Sequence, residues 1–207
     1  NFSSNALKLL TTGTQNTAVG HNALTANTTG GYNVAVGCSA MLSNTTGAGN
    51  VGVGGGALRL NTTANSNTAL GTNALEVCQA GGLTALGHNA LKAHTTGSDC
   101  VAVGAFSLDA NTSGANNVAV GNESLGANTT GAANTSVGAF SLDASINGSY
   151  NTAVGKSALT TATTGSWNTG LGKDALNALT TGTYNIGVGV NAGGNINTGT
   201  YNVIMGP

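Results

Sequence analysis

A 17-residue unit repeats along the chain, and nothing else in the sequence constrains the fold as tightly. Asn16–Tyr32 reads NTAVGHNALTANTTGGY, and Asn33 starts it again as NVAVGCSAMLSNTTGAG. Complete units begin at Asn16, Asn33, Asn50, Asn67, Leu83, Cys100, Asn117, Asn134, Asn151, Asn168 and Asn185, with a partial unit before them and another from Asn202. Every step is 17 residues except Asn67 to Leu83, which is 16. A short fixed period is the signature of stacked repeats, in which each unit buries its apolar face only against its neighbours.

Numbering each unit 1 to 17 from its Asn exposes a pattern. Position 5 is Gly in all eleven complete units, and position 15 is Gly in all but one, Ala64 being the exception. Two recurrent Gly predict two backbone corners that need positive φ or close approach. Position 2 is Thr, Val or Ile, and position 4 is Val or Leu, which are strand formers. Alternation along a strand puts 2 and 4 on one side and 1, 3 and 5 on the other. The pattern therefore predicts an all-β parallel solenoid, or β-roll, of about twelve 17-residue coils in one array over residues 1–207. Strand A covers positions 1–5, and a second segment covers about 7–10, with a single helical turn as its alternative. A Thr-Thr-Gly return closes the coil.

In this register Val19, Val36, Val120, Val154 and Val188 point into the coil with the Leu of position 9. Three large apolar side chains per coil make a thin core. The small residues at position 3 then form a second face that packs against another chain. Asn at position 1 predicts a ladder of stacked amides. Leu83 and Cys100 break that ladder after the short unit, so Glu76–Cys100 is expected to be the least regular stretch.

Charged residues are 5% of the chain, and the formal net charge is −1. That disfavours nucleic-acid partners, which call for a basic surface. Apolar runs are too short for a membrane-spanning helix. The sequence lacks an initiator Met and a signal peptide and starts and stops in mid-repeat, which points to a processed product or part of a longer array. Cys38, Cys78 and Cys100 fall at three different repeat positions, too many coils apart to pair within the chain and at no zinc-site spacing. The acids Glu76, Asp99, Asp109, Glu123, Asp143 and Asp174 scatter without a recurring catalytic pair. His21, His88 and His94 read as surface residues. The reading is of a protein that is not an enzyme, with no catalytic or metal residues and no cofactor.

Three features remain as candidate surfaces. Tyr150, Trp167, Tyr184 and Tyr201 occupy position 17 in four successive coils, after a lone Tyr32. That stripe is a stacking ladder, a chain–chain contact or a sugar-binding surface. Asn27, Asn44, Asn61, Asn111 and Asn128 stand in Asn-x-Ser/Thr sequons at position 12. They are possible glycosylation sites, or turn residues with no further role. The ends carry apolar residues near repeat phase, Phe2 on one side and Val203 and Met205 on the other. They are candidates for end-to-end contact in a rod of roughly 55–60 Å.

The phrase N-T-A-V-G-x-x-A-L-x-x-N-T-T-G resembles the repeats of phage tail-fibre proteins, which often precede a self-cleaving chaperone domain. It is similar, more loosely, to the N-S-V-A-I-G repeats of trimeric autotransporter adhesin heads, which are left-handed parallel β-rolls. The unit here is longer than the adhesin's, and no chaperone domain is present. The resemblance implies a structural fibre protein outside the cell, on a virion or a cell surface. It would be the shaft of a tail-fibre or adhesin-like assembly that presents an attachment surface. Its partners would be copies of itself, as a homotrimer or head-to-tail filament, and a cell-surface glycan. Two rivals are a self-assembling extracellular filament subunit and an ice-binding solenoid. The latter rests on the Thr-Thr pairs that begin at Thr28, Thr45, Thr62, Thr95, Thr129, Thr163 and Thr180.

Overall fold

A computed structural model describes residues 4–206. It is an all-β parallel solenoid. Twelve three-residue strands occupy positions 2–4 of successive units: β1 (Thr17–Val19), β2 (Val34–Val36), β3 (Val51–Val53), β4 (Thr68–Leu70), β5 (Thr84–Leu86), β6 (Val101–Val103), β7 (Val118–Val120), β8 (Thr135–Val137), β9 (Thr152–Val154), β10 (Thr169–Leu171), β11 (Ile186–Val188) and β12 (Val203–Met205). They form one parallel sheet in chain order. Like positions face like positions throughout, for example Thr152 beside Thr169 and Val154 beside Leu171. The described residues contain no helix.

Position 5 ends each strand with a corner. From Gly20 to Gly189 this residue has φ of 125–141°. A Cβ on Gly20 would also lie 2.6 Å from the carbonyl oxygen of Gly37 in the next coil. Positive φ and close approach both exclude a side chain there. At position 15 the reason is close approach alone: a Cβ on Gly165 would lie 2.6 Å from the Gly182 carbonyl.

Positions 7–10 are neither the second strand nor the helical turn expected from the sequence. They form a turn with left-handed residues at 7 and 9, such as Asn22 (φ 58°) and Leu24 (φ 50°). Asn tolerates that conformation, whereas for Leu it costs roughly 1–2 kcal/mol. Complete burial of Leu24, Leu58, Leu75 and their equivalents offsets it. The turn also stays bonded along the rod. Met41 N–H donates to the Ala57 carbonyl, and Ser43 N–H donates to that of Arg59. Strand and return do the same, through Val34 N–H to Asn50 and Thr45 N–H to Thr62.

The strand register is the reverse of the expected one. Position 3 lies inside: Ala35, Ala69, Ala102 and Ala153 are fully buried. Positions 2 and 4 lie outside: Val19 is 46% and Val154 39% exposed, and Val36, Val120 and Val188 are half-buried. The physical reason is the thinness of the coil. The position-3 residue sits directly over the position-9 side chain of the preceding coil. A Cβ on Gly52 would be 3.1 Å from Met41 Cγ, and one on Gly170 would be 3.3 Å from Leu159 Cγ. Only Ala, Ser or Gly leaves room for that Leu, so the β-branched residues turn to the outer face. The Ala/Gly face therefore packs inside its own rod, against the preceding coil, rather than against another chain, and Ala153→Phe would overpack the core.

The 16-residue unit does not disturb the sheet. Thr68, Ala69 and Leu70 pair with Thr84, Ala85 and Leu86 in register. Asn67 Nδ2 donates to the Ala80 carbonyl, 13 residues on, where other coils use the residue 14 on. The missing residue is thus one of the Thr-Thr pair in the return. Arg59 binds Glu76 from both Nε (3.0 Å) and Nη2 (2.5 Å) across this junction.

Candidate functional site

Amide ladders hold the inside of the coil. Asn at position 1 is buried in nearly every unit, inside the coil and not on the outer side that the expected register gave it. Asn33 Nδ2 donates to the Gly47 carbonyl at 2.8 Å. Its Oδ1 accepts from Asn50 N–H at 3.0 Å and Asn50 Nδ2 at 3.2 Å. The same links run from Asn117 to Asn202. Each amide is satisfied by backbone and by its neighbour, which is the condition for burying it.

A second ladder stands beside the first at position 12. Asn44 Nδ2 donates to Asn27 Oδ1 at 2.9 Å and Asn128 Nδ2 to Asn111 Oδ1 at 3.0 Å. Asn27, Asn44, Asn61, Asn111 and Asn128 are all fully buried. Their Nδ2 groups point at carbonyls inside the coil, so a glycan on any of them has no path out of the folded rod. The sequons are turn and ladder chemistry. His94 belongs to this ladder and is fully buried, not on the surface. Its Nε2 bonds the Gly97 carbonyl, and Asn111 Nδ2 donates to its Nδ1 at 3.0 Å. Burial pushes the His94 pKa below the ordinary value. Cys78 takes the same position, its Sγ donating to the Ala80 carbonyl, and burial pushes its pKa up to about 11. Cys100 replaces Asn at position 1 and donates to the Gly114 carbonyl. Repeat phase alone would have located His94 and Cys78 here, because both fall on position 12.

The position-17 aromatics are brought together. Tyr150, Trp167, Tyr184 and Tyr201 stack with centroids 5.3, 5.2 and 4.9 Å apart and rings within 9° of parallel. Each residue has φ near 57–59° or 56°, as position 17 does in other coils. The stack is exposed to solvent, but by its edges. Sugars pack on open ring faces, and Trp167 and Tyr184 have both faces covered by their neighbours. The geometry is that of a stacking ladder.

Elsewhere the chemistry is sparse. Asp109, Glu123 and Asp143 line a shallow notch with Phe106 over Gly126. Desolvation by burial first, and then the neighbouring Glu123 carboxylate as the leading charge effect, raises the pKa of both aspartates. Among the described residues no three His, Cys, Asp or Glu are grouped to hold a metal. His21 and His88 are exposed, and His88 meets Phe106 edge-on at 5.2 Å. All three cysteines are free. In the return, Thr28, Thr45 and Thr95 each donate their hydroxyl to the carbonyl of the matching residue one coil on. Thr29, Thr46 and Thr96 of the second row are exposed, whereas Thr28, Thr45 and Thr95 are half-buried.

At the C-terminal end β12 pairs with β11 alone. Val203 is 70% and Met205 78% exposed. Phe2 lies outside the described residues. Comparison with family models, with characterised proteins and with solved structures gives no match for this chain.

Proposed function

We propose that the chain is a non-enzymatic structural rod: a shaft segment of a tail-fibre or adhesin-like assembly outside the cell. It would hold an attachment surface away from a particle or a cell. The observation that carries this reading is the direction of the bonding. In every coil the strand, turn and return bond along the axis to the next coil, and the amide ladders and the aromatic stack, in the coils that have them, run the same way. Such a design transmits length and stiffness, and the aligned interior leaves little room for a substrate. The resemblance to tail-fibre repeats agrees with it.

A second reading has its own observation. The free edge of β12, with Val203 and Met205 beside it and the open face of Tyr201 next to it, suits a further coil stacked on the end. Supplied by another copy, that coil would make a head-to-tail filament, because the contact is heterologous and does not close. Electron microscopy of the purified 207-residue chain tests both. Long uniform fibres are expected for end stacking, and discrete rods of roughly 55–60 Å for a shaft segment. Compact particles of neither shape would overturn both.

A further inference from the structure

The reversed register leaves an apolar sheet face on the outside. Position 4 of all twelve strands is Val, Leu or Met, and position 2 is Thr, Val or Ile. The chain's eleven charged residues, five basic and six acidic, all fall at positions 6, 7, 10 and 17, and none on this face. Leu70, at 50% exposure, and Leu171 show how open the middle of it is.

We infer that this face is covered by the same face of a second copy, in a two-fold pair of rods. Twelve strands at ~4.8 Å make the face about 55 Å long, and two outward positions about 7 Å apart make it about 12 Å wide. Two such faces bury on the order of 1,300 Å2, within the range of specific interfaces. Fit comes from the repeat itself. A second copy carries rows of branched side chains at the same spacing, so rows interdigitate along the full length as in a dry zipper. A two-fold contact uses one patch on each copy. A three-fold assembly needs two apolar faces per copy, and the other sides carry the charges and the polar return. This pairing runs side by side and closes with two copies, so it rests on the shaft reading and not on end-to-end stacking.

Sedimentation equilibrium on the native chain is expected to give twice the chain mass, with no further growth as concentration rises. Val120→Lys with Val137→Lys, on the outer face of β7 and β8, is expected to give a monomer with unchanged far-UV circular dichroism. Thr29→Lys in the exposed return should stay paired. A native monomer, a trimer, open-ended growth, or a lysine variant that still pairs like the native chain overturns the proposal. Should the lysine variant fail to fold, the isosteric Val120→Thr with Val137→Thr decides. It should pair measurably more weakly, and unchanged pairing overturns the proposal.

Discussion

The first three complete coils and the last four solve the same problem differently. In coils starting at Asn16, Asn33 and Asn50, positions 1 and 12 are both Asn. Both amides donate to the position-15 carbonyl, as Asn33 and Asn44 do to Gly47. In coils starting at Asn134, Asn151, Asn168 and Asn185, position 12 is Ser145, Ala162, Leu179 and Ile196. There the position-1 amide alone serves the carbonyl of Gly148, Gly165, Gly182 and Gly199. These are the same four coils that carry Tyr150, Trp167, Tyr184 and Tyr201 outside. One internal ladder is gone and an external one has appeared. The middle coils fit the same rule: Leu83 has no donor, and His94 in its own coil supplies it. What a coil needs is one donor for that carbonyl, from either column.

The largest expected effect breaks that rule directly. Asn168→Leu leaves the Gly182 carbonyl buried with no donor, because position 12 is Leu179. Asn50→Leu leaves the Ala64 carbonyl bonded to Asn61. Both substitutions interrupt the position-1 ladder equally, and Leu83 shows that Leu fits there. The extra loss at Asn168 should be about 1–3 kcal/mol, the penalty for a buried unsatisfied group. Denaturant unfolding of the two variants measures the difference. Equal losses would mean that the carbonyl is not what the two columns share.

The aromatic half of the contrast predicts an effect that at most equals it, because the stack is exposed at its edges. Trp167→Ala removes two stacked contacts, each worth about 0.5–1.5 kcal/mol. The backbone should accept it, since Ala133 already occupies position 17 with φ 56°. Tyr32→Ala, where the neighbours at position 17 are Gln15 and Gly49, should cost only a few tenths of a kcal/mol. If thermal melts shift alike for the two, the stack is not supporting the coils that lost their second amide.

The period, the parallel stacking, the corners at positions 5 and 15 and the position-1 amide ladder were all legible in the sequence. Repetition makes identical residues neighbours, and that needs no knowledge of side-chain direction. Direction was what failed. Val154 looks like core and Ala153 like a contact surface when burial is read from hydrophobicity. In a coil this thin the Leu159 side chain fills the space, and the strand must present its smallest residue to it. The left-handed Leu at position 9 was also out of reach, because intrinsic preference opposes it and only the stacked neighbours enforce it. The sequons left two readings open, glycan site or turn residue, because Asn-Thr-Thr-Gly does not show by itself that the coil folds its Asn inward.

The smallest expected effect lies where the ladder contains a titratable group. His94 is buried with Nε2 facing the Gly97 carbonyl and Nδ1 accepting from Asn111. Nε2 therefore carries the proton, and a second proton on Nδ1 would face the Asn111 amide donor. Burial lowers the His94 pKa, so the folded state resists protonation that the unfolded chain accepts near its ordinary value of about 6.5. The unfolded state then binds more protons, and stability should fall as pH drops below about 6.5 and level off once it passes the folded pKa. At pH 6 the loss cannot exceed about 1 kcal/mol from this group. Asn in its place should bond the Gly97 carbonyl as Asn111 bonds Gly114. His94→Asn is thus expected to match the native chain near pH 8 and to lose the native chain's decline between pH 6.5 and 5.5. Parallel pH profiles for the two proteins would show that the position-12 column carries no proton-linked stability.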